Sequence, residues 1–104
     1  SIVLRDRKHL AEDGLIVAVC SIDASSGQVV SGPDIVSRGF VYVRESEALM
    51  DEARDLVYNT LEECARNHVR DWSGMKQSIK EELSRFLYQK TRRSPMILPI
   101  IMEV

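Results

Sequence analysis

Eight consecutive residues, Leu15-Ile16-Val17-Ala18-Val19-Cys20-Ser21-Ile22, leave this chain few ways to fold. Successive side chains of a β-strand point to opposite faces, so a half-buried strand alternates apolar with polar residues. Here both parities are apolar. Leu15, Val17 and Val19 make one face, closing on Ser21, while Ile16, Ala18, Cys20 and Ile22 make the other. β-Branched residues and strand-like length favour strand over helix. A strand apolar on both sides must be covered on both sides, and the remaining residues have to supply the covers.

A chain of 104 residues amounts to one small domain, with room for a core but not for a large active site. A formal net charge of -2 argues against holding nucleic acid by bulk electrostatics, so any such contact is local. Cys20 and Cys64 sit inside apolar patterns without metal-like spacing, which reads as buried free thiols in a reducing compartment. No apolar stretch approaches the roughly 18 residues of a membrane span. The first residue, Ser1, is not methionine, which fits a piece of something longer.

Residues 1–13 read as a linker with a small basic cluster at Arg5, Arg7, Lys8 and His9, set off by the Asp13-Gly14 turn signal. Residues 14–104 read as the domain. After the first strand, Asp23 to Gly27 form a loop, and Gln28-Val29-Val30-Ser31 returns as an antiparallel strand that Gly32-Pro33-Asp34 should break. Residues 35–38 are ambiguous, and Phe40-Val41-Tyr42-Val43 is a third strand by residue type. Ser46 is placed to cap a helix whose apolar stripe is Leu49, Ala53, Leu56, Val57, Leu61, Cys64 and Ala65, fading by about Val69. Ser73 is placed to cap a second helix with the stripe Met75, Ile79, Leu83, Phe86 and Leu87, ending near Gln89 or Lys90, and Trp72 before it is placed to staple. Met96 to Val104 is a closing strand, apolar on both faces, and Pro99 within it calls for an edge or a bulge. The expected fold is α+β: a small three- to four-stranded sheet with two helices on one face, in the order β-β-β-α-α-β. The helices cover one side only.

Chemistry is harder to find. Metal hydrolysis needs several converging ligands, and His9 and His68 lie far apart among charged neighbours. Neither cysteine has a histidine nearby in sequence, and no glycine pattern fits a phosphate loop or a nucleophile elbow. The acidic pairs Asp51-Glu52, Glu62-Glu63 and Glu81-Glu82 read as solvated helix faces, and Asp34 as a turn cap. Catalytic, metal and cofactor-binding residues are therefore assigned to none of these positions.

Two stretches resemble a known family. Ser31-Gly32-Pro33-Asp34-Ile35-Val36-Ser37-Arg38-Gly39-Phe40-Val41-Tyr42 is similar to the signature in the C-terminal part of the bacterial ribonuclease J family. Arg92-Arg93-Ser94-Pro95-Met96-Ile97-Leu98-Pro99-Ile100-Ile101-Met102-Glu103-Val104 resembles that family's C-terminal ending, with Ser94 departing from the basic residue expected before Pro95. Val3-Leu4-Arg5-Asp6-Arg7-Lys8, Leu10, Asp13-Gly14 and Trp72-Ser73 also match, so the resemblance spans essentially the whole chain. It implies a cytoplasmic RNA-processing and RNA-degrading hydrolase with 5′-to-3′ exonuclease and endonuclease activity. Its catalytic core would be a metallo-β-lactamase domain with an inserted β-CASP domain, holding zinc through His and Asp motifs. None of those motifs occurs here, so the segment itself carries no cofactor and no catalytic residue of the family.

What the resemblance implies for this domain is assembly: its partners would be another copy, in a dimer or tetramer, and its own catalytic domains, with RNA as the full enzyme's substrate and no membrane. The uncovered sheet face points the same way independently. Candidate interface residues are Val17, Val19, Phe40, Tyr42, Ile97 and Ile101, with the outward parity of each strand left open. The alternative is an RNA-binding module that delivers substrate to the catalytic core. Its lead candidates are Arg38, Arg92 and Arg93, followed by Arg66, Arg70 and Lys90. A free-standing enzyme is the weakest reading, for want of any constellation.

Overall fold

The computed structural model describes residues 13–39, 46–69 and 71–104. Within them β1 (Leu15–Ile22) and β2 (Val29–Arg38) are followed by α1 (Ser46–Arg66), α2 (Trp72–Thr91) and β3 (Met96–Glu103). The sheet is mixed and has the order β2-β1-β3, with β1 antiparallel to β2 and parallel to β3. The architecture is the expected α+β arrangement of a three-stranded sheet and two helices. The strand expected over Phe40–Val43 lies outside the described residues.

The doubly apolar run takes the central position, where it is flanked on both edges. Its even residues Ile16, Ala18, Cys20 and Ile22 are all but inaccessible and face the helices. Against them α1 sets Leu49, Ala53, Val57, Leu61 and Cys64, and α2 sets Met75, Ile79, Leu83 and Leu87, each stripe recurring at helical spacing. A large side chain buried in this way contributes roughly 1.5–3 kcal/mol, so these stripes dominate the stability of the fold. Both cysteines are buried as free thiols. Burial, and then the negative charge of Asp34, pushes the Cys20 thiol up to about 11.

Three local readings need correction. Gly32-Pro33-Asp34 does not end the second strand: β2 runs through it as a bulge, with the register shifting between Val19 and Ile22 of β1. Gly32 makes this passage. Its φ is +88°, and a Cβ there would sit 2.8 Å from the Val19 carbonyl oxygen. Asp34 is accordingly a strand residue opposite Val19, not a turn cap. The cap of α2 is Asp71, whose carboxylate accepts from the Gly74 N–H at 2.8 Å, and not Ser73, which lies inside the first turn. A carboxylate suits the positive helix end better than a hydroxyl does.

The termini of the strands are tied together. Met96 N–H donates to the Gly14 carbonyl at 2.9 Å and Ser94 N–H to the Asp13 carboxylate at 2.9 Å, fixing the entrances of β1 and β3 side by side. The Ser94 contact uses the backbone, so the departure from a basic residue there does not touch it. At the other end Val104 N–H donates to the Ile22 carbonyl at 2.9 Å. Glu62 of α1 accepts from the Val29 N–H at 3.3 Å and anchors the start of β2. The other acidic pairs lie on the helix surfaces as read: Asp51 pairs with Arg54, Glu82 with Arg85 and Glu52 with Lys90.

Candidate functional site: the open face of the sheet

The odd residues of β1 point away from the helices, and the register shows what stands beside them. Val17 lies between Val36 of β2 and Leu98 of β3; Val19 lies between Asp34 and Ile100; Leu15 lies between Arg38 and Met96; Ser21 lies between Ser31 and Met102. Side chains on one face of neighbouring strands touch, so these rows form one continuous surface. Its middle is apolar and its β2 margin carries one acid and one base. Leu98, Ile100 and Met102 are 45%, 39% and 48% exposed, and Val36 is 47% exposed. A lone exposed aliphatic residue needs no explanation, but a contiguous group does.

Of the expected interface residues, Val17 and Val19 belong to this face and are half-buried by their neighbours on it. Ile97 and Ile101 do not. They are 6% and 8% exposed and pack beneath the helices, paired with Ile16 and Cys20. β3 is apolar on both parities, so nothing in its composition separates the residues that face the core from Leu98, Ile100 and Met102, which face out. Phe40 and Tyr42 lie outside the described residues. Asp34 was missed because the bulge at Gly32 carries it from an expected turn into the ladder.

The basic candidates fall into two groups. Arg38 ends β2 opposite Leu15, and Arg92 and Arg93 precede β3 beside the same end of β1, so the register gathers the three at one end of the sheet. Arg92 caps α2 in a left-handed conformation, with its guanidinium 5.5 Å from the Tyr88 ring centroid. Lys90 is near this end and pairs with Glu52, whereas Arg66 closes α1 at the far end; Arg70 is outside the described residues.

A groove of about 280 Å³ between α1 and α2 is lined by Asn59, Glu63, Asn67, Ser78, Glu81 and Glu82, among others, and by no histidine. The Thr60 hydroxyl beneath it donates to the Leu56 carbonyl at 2.7 Å. Among the described residues no three His, Cys, Asp or Glu side chains converge to hold a metal ion. No described helix is long and apolar enough to cross a membrane.

Comparison with known proteins agrees with this picture of a module. The description of the ribonuclease J C-terminal domain matches residues 2–104. The chain is 49% identical to ribonuclease J2 of Bacillus subtilis, 47% to ribonuclease J 2 of Staphylococcus saprophyticus and 45% to ribonuclease J 2 of Staphylococcus aureus strain NCTC 8325. Each alignment covers 100% of this chain and 19% of the relative. The chain thus spans about a fifth of the length of the proteins it matches.

Proposed function

Because the chain belongs to the ribonuclease J C-terminal domain family, we propose that it is the assembly domain of a ribonuclease J-like nuclease and is not itself catalytic. The enzyme it serves is a cytoplasmic hydrolase that degrades and processes RNA, as a 5′-to-3′ exonuclease and as an endonuclease, with zinc in a separate catalytic region. The domain holds copies of that enzyme together as a dimer or tetramer. One observation carries this reading: the apolar row Val36, Val17 and Leu98, with Val19, Ile100 and Met102 beside it, is left uncovered by the two helices. Burying such a surface against another protein is favourable in proportion to its apolar area.

Light scattering on this chain and on the full nuclease tests it. Leu98→Asp places a charge on the face without touching the helix-covered core, so it should lower the oligomeric mass while circular dichroism stays unchanged. A chain that is monomeric at all concentrations, in a nuclease whose assembly survives removal of the domain, overturns it.

The gathering of Arg38, Arg92 and Arg93 at one end of the sheet favours a second reading, contact with the RNA backbone. Binding of single-stranded RNA to the isolated domain, weakening steeply with salt and lost in Arg92→Glu/Arg93→Glu, would support it.

A further inference from the structure

Residues two apart on an α-helix point about 200° apart, so the ridge of α2 that faces α1 identifies the ridge that faces away from it. Ser78 and Glu82 line the groove between the helices, and Lys90 reaches across to Glu52. Offset from these by two, Lys76, Lys80, Ser84 and Tyr88 follow one another at intervals of four along the opposite flank, and Arg92 continues the row past the end of the helix. Lys76 is half-buried and the other four are exposed. No acid interrupts the row, and neither lysine has an ion-pair partner among the described residues. The Arg92 guanidinium lies against the Tyr88 ring, and Tyr88 is still 49% exposed.

We propose that this flank of α2 is a track for single-stranded RNA, running from Lys76 to Arg92 and on to Arg93 at the end of the sheet. It deepens the RNA-contact reading above and lengthens that site by the roughly 18 Å of helix between Lys76 and Tyr88. Four residues of helix rise about 6 Å, so Lys76 and Lys80 present successive cations to a backbone that carries a charge on every nucleotide. Tyr88 and the guanidinium against it offer a flat surface on which an unpaired base stacks. A duplex keeps its bases inside and cannot use that surface. The acids of the helix groove lie on the other side of α2, so a chain of net charge -2 still holds a polyanion locally. Ser94, two residues beyond Arg92, is bonded to Asp13, so the track ends where the chain enters the domain.

Fluorescence anisotropy of a labelled oligouridylate titrated with the full 104-residue chain tests this, with circular dichroism to confirm folding. Lys76→Gln/Lys80→Gln should weaken binding about tenfold and flatten the dependence of log affinity on log salt by roughly 0.7 for each lysine. Tyr88→Ala should weaken it about tenfold with the salt slope unchanged, and Tyr88→Phe should restore it. Arg54→Gln, which removes a cation from α1, should alter neither. A duplex of the same length should bind more weakly than the single strand. Binding abolished by Arg92→Glu/Arg93→Glu but untouched by the lysine and Tyr88 changes overturns the track and leaves contact at the sheet end standing. Equal binding of duplex or polyglutamate, indifferent to Tyr88→Ala, overturns it in favour of a general surface for polyanions. No binding of the oligouridylate at low salt overturns it together with the RNA-contact reading.

Discussion

His68 and Arg92 hold left-handed backbones, at φ 59° and 61°, where glycine is the residue that fits without steric penalty. His68 closes α1: Val69 N–H reaches back to the Cys64 carbonyl at 2.8 Å and His68 N–H to Ala65 at 3.2 Å, the paired closure usual at helix ends. Replacing the exposed His68 by glycine should keep both bonds and remove the strain, raising unfolding free energy in urea by about 1 kcal/mol. Cys20 makes a different residue-scale prediction. Its thiol holds its proton to about 11 in the folded state against 9.0 ordinarily. The folded state therefore keeps that proton more tightly than the unfolded one. This contribution is intact below pH 9 and fades as the pH rises through 11. Chemical denaturation from pH 8 to 11 should show a slope that Cys20→Ala flattens, with Cys64→Ala as the control. The burial of Cys20 is legible in its apolar run, but neither left-handed position announces itself in the sequence: the residue at a helix stop is visible only once the stop is located.

At the scale of elements, β3 shows how an edge strand is closed to further pairing. Met96 N–H points to β1, as does Val104 N–H, so with a continuous register the even residues bond to β1 and the odd residues turn their N–H groups to the free edge. Pro99 is odd. Its missing donor costs no ladder bond, and it interrupts the exposed row of donors at its middle. Pro99→Val should leave stability nearly unchanged but promote strand addition between copies, seen as thioflavin-positive aggregate growing with concentration. This edge was legible, since a proline in an apolar strand has few other places to go. So was β1, whose two apolar faces demand the centre, and so were the stripes Leu49–Cys64 and Met75–Leu87. β2 was not. A proline preceded by a positive-φ glycine normally ends a strand, and only the approach of Gly32 to the Val19 carbonyl shows that the ladder resumes beyond it. The site was half legible for a related reason: alternation assigns faces only where one parity is polar, and β3 has none.

For the whole molecule, neighbouring residues of one strand answer to different surfaces. Ala18 is wholly inaccessible beneath the helices and Val17 belongs to the open face. Ala18→Asp buries a carboxylate without a partner and should cost on the order of 3–5 kcal/mol, enough to unfold a domain of this size. Val17→Asp should leave a cooperative thermal transition and lower only the oligomeric mass. Scanning calorimetry beside sedimentation separates the two, and equal unfolding by both would mean that the open face is core. The parallel pairing of β1 with β3 reaches further still. The strand that completes one edge of β1 is made about eighty residues after it, beyond both helices. During synthesis β1 and β2 emerge first as a bare hairpin with an apolar surface on each side, too little to be stable alone. Closure of the sheet waits for β3, and such long-range pairing is slow. For that interval a nascent chain shows a neighbouring nascent chain both the open face of the sheet and the edge of β1 that β3 later covers.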